Sequence, residues 1–111
     1  MLKTKGHKIL HKLGWRDFLD TEFNPRAEQF LESRGHEVLN QITSLIHNSV
    51  AKKWEELNIV VHPNSTAIMH IPKKEFGNVL DYAMEWFKEK EYYEMCQFVL
   101  DTQKKLEQNP S

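Results

Sequence analysis

Cysteine is almost missing. Cys96 is the single one in 111 residues, so the chain closes no disulfide within itself and builds no cysteine-cluster metal site. A reducing compartment is the natural setting. Glycine and proline are scarce, four of each, and no Gly-rich phosphate loop, nucleophile elbow, linker, low-complexity tract or internal repeat is present. No apolar run approaches the roughly 18 residues of a membrane span. Excess charge is missing as well. Lys and Arg total 15 against 16 Asp and Glu, a net charge of -1 at pH 7, so no overall field draws the chain to nucleic acid or membrane. The first residues hold bases but neither a signal-peptide apolar run nor a small-residue cleavage site, and a cytoplasmic location is expected.

What is present is apolar and aromatic. The chain is 40% apolar and 28% charged, with three Trp, six Phe and three Tyr. That excludes disorder and suffices for one domain over 1–111. Along it, Ile9, Leu10 and Leu13 oppose His7, His11, Lys8 and Lys12 on a helical wheel, which predicts a basic amphipathic helix over 3–13. Asn24-Pro25 is a helix start, and apolar residues recur at three- and four-residue steps to Leu57. A long helix is expected over about 25–57, bent or broken at Gly35. β-branched runs around Pro63-Asn64-Ser65-Thr66 predict a β-hairpin over 58–71. From Lys73 the helical period returns, with seams Phe76, Leu80, Ala83, Phe87 and Tyr92, Cys96, Val99, Leu106. A reversal near Lys88 to Glu91 makes 73–107 an antiparallel helical hairpin. The fold class is mainly α within α+β: helices packed around a small β-hairpin.

Chemistry-bearing residues are few, and most have a structural reading. His7 and His11 are the weak metal candidates, four apart on the predicted helix, but Lys8 and Lys12 oppose a cation there. His36 and His47 share one side of the long helix about 16 Å apart, too far for one metal, and read as its solvated face. His62 and His70 flank the hairpin turn, in a relation set by register. Cys96 reads as a small buried hydrophobe. No catalytic residue and no cofactor emerges.

The segment Glu91 to Glu107 carries Tyr93-Glu94-Met95-Cys96, then Val99, Asp101 and Leu106. In this it resembles the second helix of the UVR motif, the short helical hairpin of UvrB- and UvrC-type repair proteins, over residues 79–107. Lys88, Gln97 and Leu100 depart from that pattern. The resemblance implies a protein-contact module rather than a catalyst.

The residues by themselves point the same way. Trp86, Phe87, Tyr92, Tyr93 and Phe98 face several directions on the helical hairpin, more apolar surface than one seam hides, so they are the candidate partner-binding set. The expected function is a small non-enzymatic protein–protein interaction or regulatory protein, its partner another protein or a second copy. The alternative is nucleic-acid binding through Lys3, Lys5, Lys8, Lys12 and Arg16, with Trp15 stacking on a base. A second alternative is a His-dependent metalloenzyme. Charge is also segregated: Met1 to Arg16 holds five bases and no acid, and Asp17 to Glu32 five acids and only Arg26. The two segments can neutralise each other.

Overall fold

The structure is a computed structural model that describes residues 11–61 and 67–108. In the segment after Trp54, Leu57, Ile59 and Val61 alternate with Glu56, Asn58 and Val60. This two-residue period puts the first three into the core and the others outside. Strand β2 is Glu56–Val60 and strand β3 is Ala67–Pro72, which buries Met69 and Ile71. They pair antiparallel, from Glu56 opposite Pro72 to Val60 opposite Ile68. This is the expected hairpin, starting two residues earlier. Its turn, with His62, lies outside the described residues.

A third strand was not foreseen. β1, His11–Gly14, pairs parallel with β3 from His11 opposite Ala67 to Gly14 opposite His70. The sheet order is β1-β3-β2. The predicted basic helix is therefore corrected over His11 to Leu13, while residues 3–10 lie outside the described ones. The reason is tertiary. The free edge of β3 offers these residues backbone partners, and that outweighs a short stretch of helical periodicity.

Helix α1, Trp15–Leu19, buries Trp15 and Leu19. The loop after it is organised by Asn24. Its Oδ1 accepts the Arg26 N–H at 3.2 Å, its main-chain carbonyl accepts the Ala27 N–H at 2.9 Å, and its Nδ2 donates to the Asp17 carbonyl at 2.8 Å. Asn24 thus organises the turn that leads into the next helix, at the start the sequence predicts, while the residue directly before that helix is Arg26, which makes no side-chain capping bond. Helix α2 then runs unbroken over Ala27–Lys52. It ends five residues before the predicted Leu57, on Lys53 with φ 57°, because Leu57 belongs to β2.

Gly35 does not break α2. A Cβ there would lie 2.7 Å from Cζ2 of Trp86. The glycine is a gap into which a ring fits, and it sets how closely the next helix approaches. That helix is α3, Phe76–Glu89, entered through a 3-10 turn at Lys73–Glu75. It buries the whole predicted seam of Phe76, Leu80, Ala83 and Phe87. Helix α4, Tyr93–Gln108, returns antiparallel, as the sequence predicts, but buries only Val99 and Thr102 fully.

The core is one cluster. Leu31, Val38, Leu39, Ile42 and Ile46 of α2 meet the inner face of the sheet, the α3 seam and Val99. Each such side chain contributes about 1.5–3 kcal/mol by leaving water. No helix among the described residues is long and apolar enough to cross a membrane.

The two α-helical glycines with a described environment should respond oppositely to a methyl group. At Gly77 a Cβ meets nothing within 4 Å, so Gly77→Ala is expected to gain up to about 1 kcal/mol of helix propensity. Gly35→Ala carries an overpacking cost of about 1–3 kcal/mol against that gain and is expected to lose about 1 kcal/mol. Urea unfolding midpoints of the two variants check the signs.

Candidate docking surface at the turn between α3 and α4

The reversal between the last two helices has no glycine, yet its hydrogen bonds form a complete Schellman closure. The Tyr92 N–H donates to the Phe87 carbonyl at 2.9 Å and the Glu91 N–H to the Lys88 carbonyl at 3.0 Å. Glu91 sits at φ 62° between them. The ring contact that usually accompanies this closure is present, with Phe87 and Tyr92 centroids 6.2 Å apart. Tyr92 then opens α4, its carbonyl accepting the Met95 and Cys96 N–H groups, both at 3.1 Å.

This turn sorts the five candidate partner-binding residues. Phe87 is 0% exposed and is corrected from docking residue to core, because it lies on the seam that faces α2. Trp86 is half-buried, wedged over Gly35 and stacked at 27° on Tyr92. Phe98 is half-buried against His47, centroids 5.5 Å apart. Tyr92 keeps 43% of its surface exposed and Tyr93 67%. They rim a depression of 460 Å³ lined also by His36, Met95, Glu91 and Glu94.

His36 is the member that sequence reasoning missed. Its ring stands edge-on to Tyr92 at 4.7 Å and to Phe87 at 5.7 Å. The available signal was its neighbour Gly35, since a glycine inside an apolar helical stripe marks a close approach. The predicted solvated face of α2 is partly covered by α4. His47 is half-buried, its Nδ1 3.1 Å from Thr102 Oγ1. The single hydrogen of that hydroxyl goes to the Phe98 carbonyl at 2.9 Å, so the oxygen accepts and His47 Nδ1 carries the hydrogen. His70 is on the outer face of the sheet, with Nδ1 2.9 Å from Asn58 Oδ1 and 3.4 Å from a Glu56 carboxylate oxygen.

The alternative sets are not assembled in this way. Trp15 is corrected from a stacking residue: it is buried, Nε1 donates to Glu75 Oε1 at 3.0 Å, and its ring lies edge-on to Tyr82. Arg16 lies over the Trp15 ring and pairs with Asp20 at 2.9 Å. Lys12 is exposed on β1, and Lys3, Lys5 and Lys8 lie outside the described residues. The metal candidate His11 is on a strand, so the helical spacing that set it beside His7 does not reach it. His7 is outside the described residues. Among the described residues no group of three His, Cys, Asp or Glu side chains converges to hold a metal. Cys96 is half-buried rather than enclosed.

Between α1 and α3, Tyr82 donates its hydroxyl hydrogen to the Leu19 carbonyl. Burial raises the pKa of this phenol above its ordinary 10.0, and the negative charges of Asp20, Glu89 and Glu22 add to the rise, while a backbone hydrogen bond at Thr21 opposes it. No family model, no curated protein and no solved structure matches this chain.

Two measurements follow from this geometry. A non-glycine residue in the left-handed region costs about 1 kcal/mol, so Glu91→Gly is expected to stabilise the chain by about 0.5–1 kcal/mol in urea unfolding. The raised pKa of Tyr82 means that the unfolded chain loses the phenol proton first. Its contribution is therefore complete below about pH 10 and lost as pH rises through the folded value. Alkaline unfolding curves should show this loss in the wild type and a shallower one in Tyr82→Phe.

Proposed function

We propose that this chain is a small, non-enzymatic protein–protein interaction protein, regulatory in character, that docks a partner on the turn between α3 and α4. The observation that carries this reading is the exposure of Tyr92 and Tyr93 side by side on a turn whose backbone hydrogen bonds are already made. A tyrosine supplies a large amphipathic contact with only two rotatable side-chain bonds, so little entropy is lost when it is covered. His36 and Phe87 back the Tyr92 ring, which holds it in place before a partner arrives. The surrounding carboxylates of Glu91 and Glu94 set register at the rim. The resemblance to the UVR motif lies on the same helix pair and supports a contact module. A lone thiol fits a cytoplasmic setting, and the partner is another protein or a second copy of the chain.

The test uses Tyr93→Ser, which removes the more exposed of the two rings and should change stability by no more than about 0.5 kcal/mol. Crosslinked capture from the native host is expected to recover a protein with the wild type and lose it with the variant. Sedimentation across concentration covers the second-copy case. Identical captured proteins for both baits, together with a wild type that stays monomeric throughout, would overturn the reading.

A further inference from the structure

The sheet carries no part of the tyrosine patch. The order β1-β3-β2 leaves β2 at an edge, and among the described residues no strand pairs with its outer side. The Lys73 N–H donates to the Glu55 carbonyl at 2.8 Å, which sets the phase of the ladder. Leu57 and Ile59 therefore turn their backbone groups to β3, while Glu56, Asn58 and Val60 turn theirs outward. Pro72, with no N–H to give, stands opposite Glu56, at a position that makes no bond to β2. Among the described residues none of the six outward groups is hydrogen-bonded. Sheet edges are commonly blunted by a lysine, a proline or a bulge. Glu56–Val60 contains neither residue, its register against β3 is continuous, and Val60 is 58% exposed.

We propose that β2 pairs antiparallel with β2 of a second copy about a two-fold axis at Asn58, joining the two sheets into one. The strand is self-complementary in this register. Asn58 meets its own symmetry mate and Glu56 meets Val60, so every outward N–H and C=O of both strands is used. A shift of two residues either way leaves an end residue facing chain beyond the strand. On one side that is Trp54, whose N–H already goes to the Ser49 carbonyl. The same register is complementary in charge. Val61 lies opposite the second copy's Glu55, both on the helix-bearing face, with α-carbons about 4.5 Å apart. Arg34 of α2 is fixed at that place, donating to the Val61 carbonyl and to Glu37, with 30% of its side chain exposed. Glu55 is 79% exposed and is paired only with Lys73, at 3.9 Å. Two contacts between Arg34 and Glu55 result, one on each side of the axis, while the two Glu56 carboxylates stand about 13 Å apart along the strands. Edge pairing of this length buries less than the about 1,200–2,000 Å² of a stable interface, so the expected state is a dimer in exchange with monomer. The proposal does not rest on the tyrosine patch.

The experiment reads the register by disulfide crosslinking of the full chain in a Cys96→Ser background. Opposed α-carbons of a hydrogen-bonded antiparallel pair lie about 5.5 Å apart, within the disulfide range. Asn58→Cys is therefore expected to give a linked dimer on mild oxidation, whereas Glu56→Cys and Val60→Cys should link only when mixed with each other. Sedimentation from about 10 µM to 1 mM gives the affinity. Each exposed ion pair is worth a factor of about 2–5, so Glu55→Arg or Arg34→Glu, which turns two attractions into two repulsions, should weaken dimerisation about tenfold or more. An equimolar mixture of the two variants should recover it, because each position 34 then meets the opposite charge at position 55. Asn58→Pro removes an outward N–H and no bond to β3, and should abolish the dimer. Where Arg34→Glu does not fold, Glu55→Arg and the crosslinks decide. A wild type monomeric at every concentration, equal crosslinking at positions 56, 58 and 60, or no recovery in the mixture of folded variants would overturn the proposal. So would a dimer lost in Tyr93→Ser and kept in Asn58→Pro, which would belong to the tyrosine patch. Asn58→Pro should still capture any protein held by that patch, so failure of one reading is separable from failure of the other.

Discussion

The ring of Trp86 occupies the space that a side chain at position 35 would fill, and the placement of the last two helices depends on that contact. With an indole edge pressed onto the backbone of α2, α3 is drawn close enough for Phe87 to reach the core and for Tyr92 to close over both rings. A single missing methyl group therefore governs the placement of the tyrosine patch. A side chain at this position would separate the helices or turn the ring, because interiors this tightly packed have no slack to absorb the volume.

Among the described residues the polar side chains that the fold buries are provided for. Thr43 and Ser49 return their hydroxyl hydrogens to carbonyls of their own helix at 2.8 Å and 2.7 Å. Thr102 links α4 to His47 of α2 while donating to Phe98. Among the described residues no buried side-chain nitrogen or oxygen is left without a partner. Such groups hold elements in register more than they add net stability, since each replaces a bond to water.

Two left-handed residues, Lys53 and Glu91, end helices without the glycine that sequence rules look for. Lys53 terminates α2 with Trp54 folded back to donate to the Ser49 carbonyl at 3.2 Å. Glu91 turns the chain between α3 and α4. At both sites the local cost is about 1 kcal/mol, small against the apolar area that the following element buries. That is why the reversal at Lys88 to Glu91 was legible from the change of apolar seam, while the residue that makes it was not.

Periodicity alone determined the elements whose side chains choose between core and water. The three-to-four residue stripe of α2, the Phe76 to Phe87 seam and the hairpin were readable, as was the turn at Asn24 that leads into α2, because each depends on neighbours within a few positions. The tertiary structure alone decided that His11 to Gly14 is a strand, that α2 stops at Lys52, that Phe87 is core while Tyr93 is open, and that His36 stands beside Tyr92. Each of these turns on a partner distant in the chain: the edge of β3, the inner face of the sheet, or the ring that fits over Gly35. A linear pattern records which residues avoid water, but not which distant surface they will find to cover them.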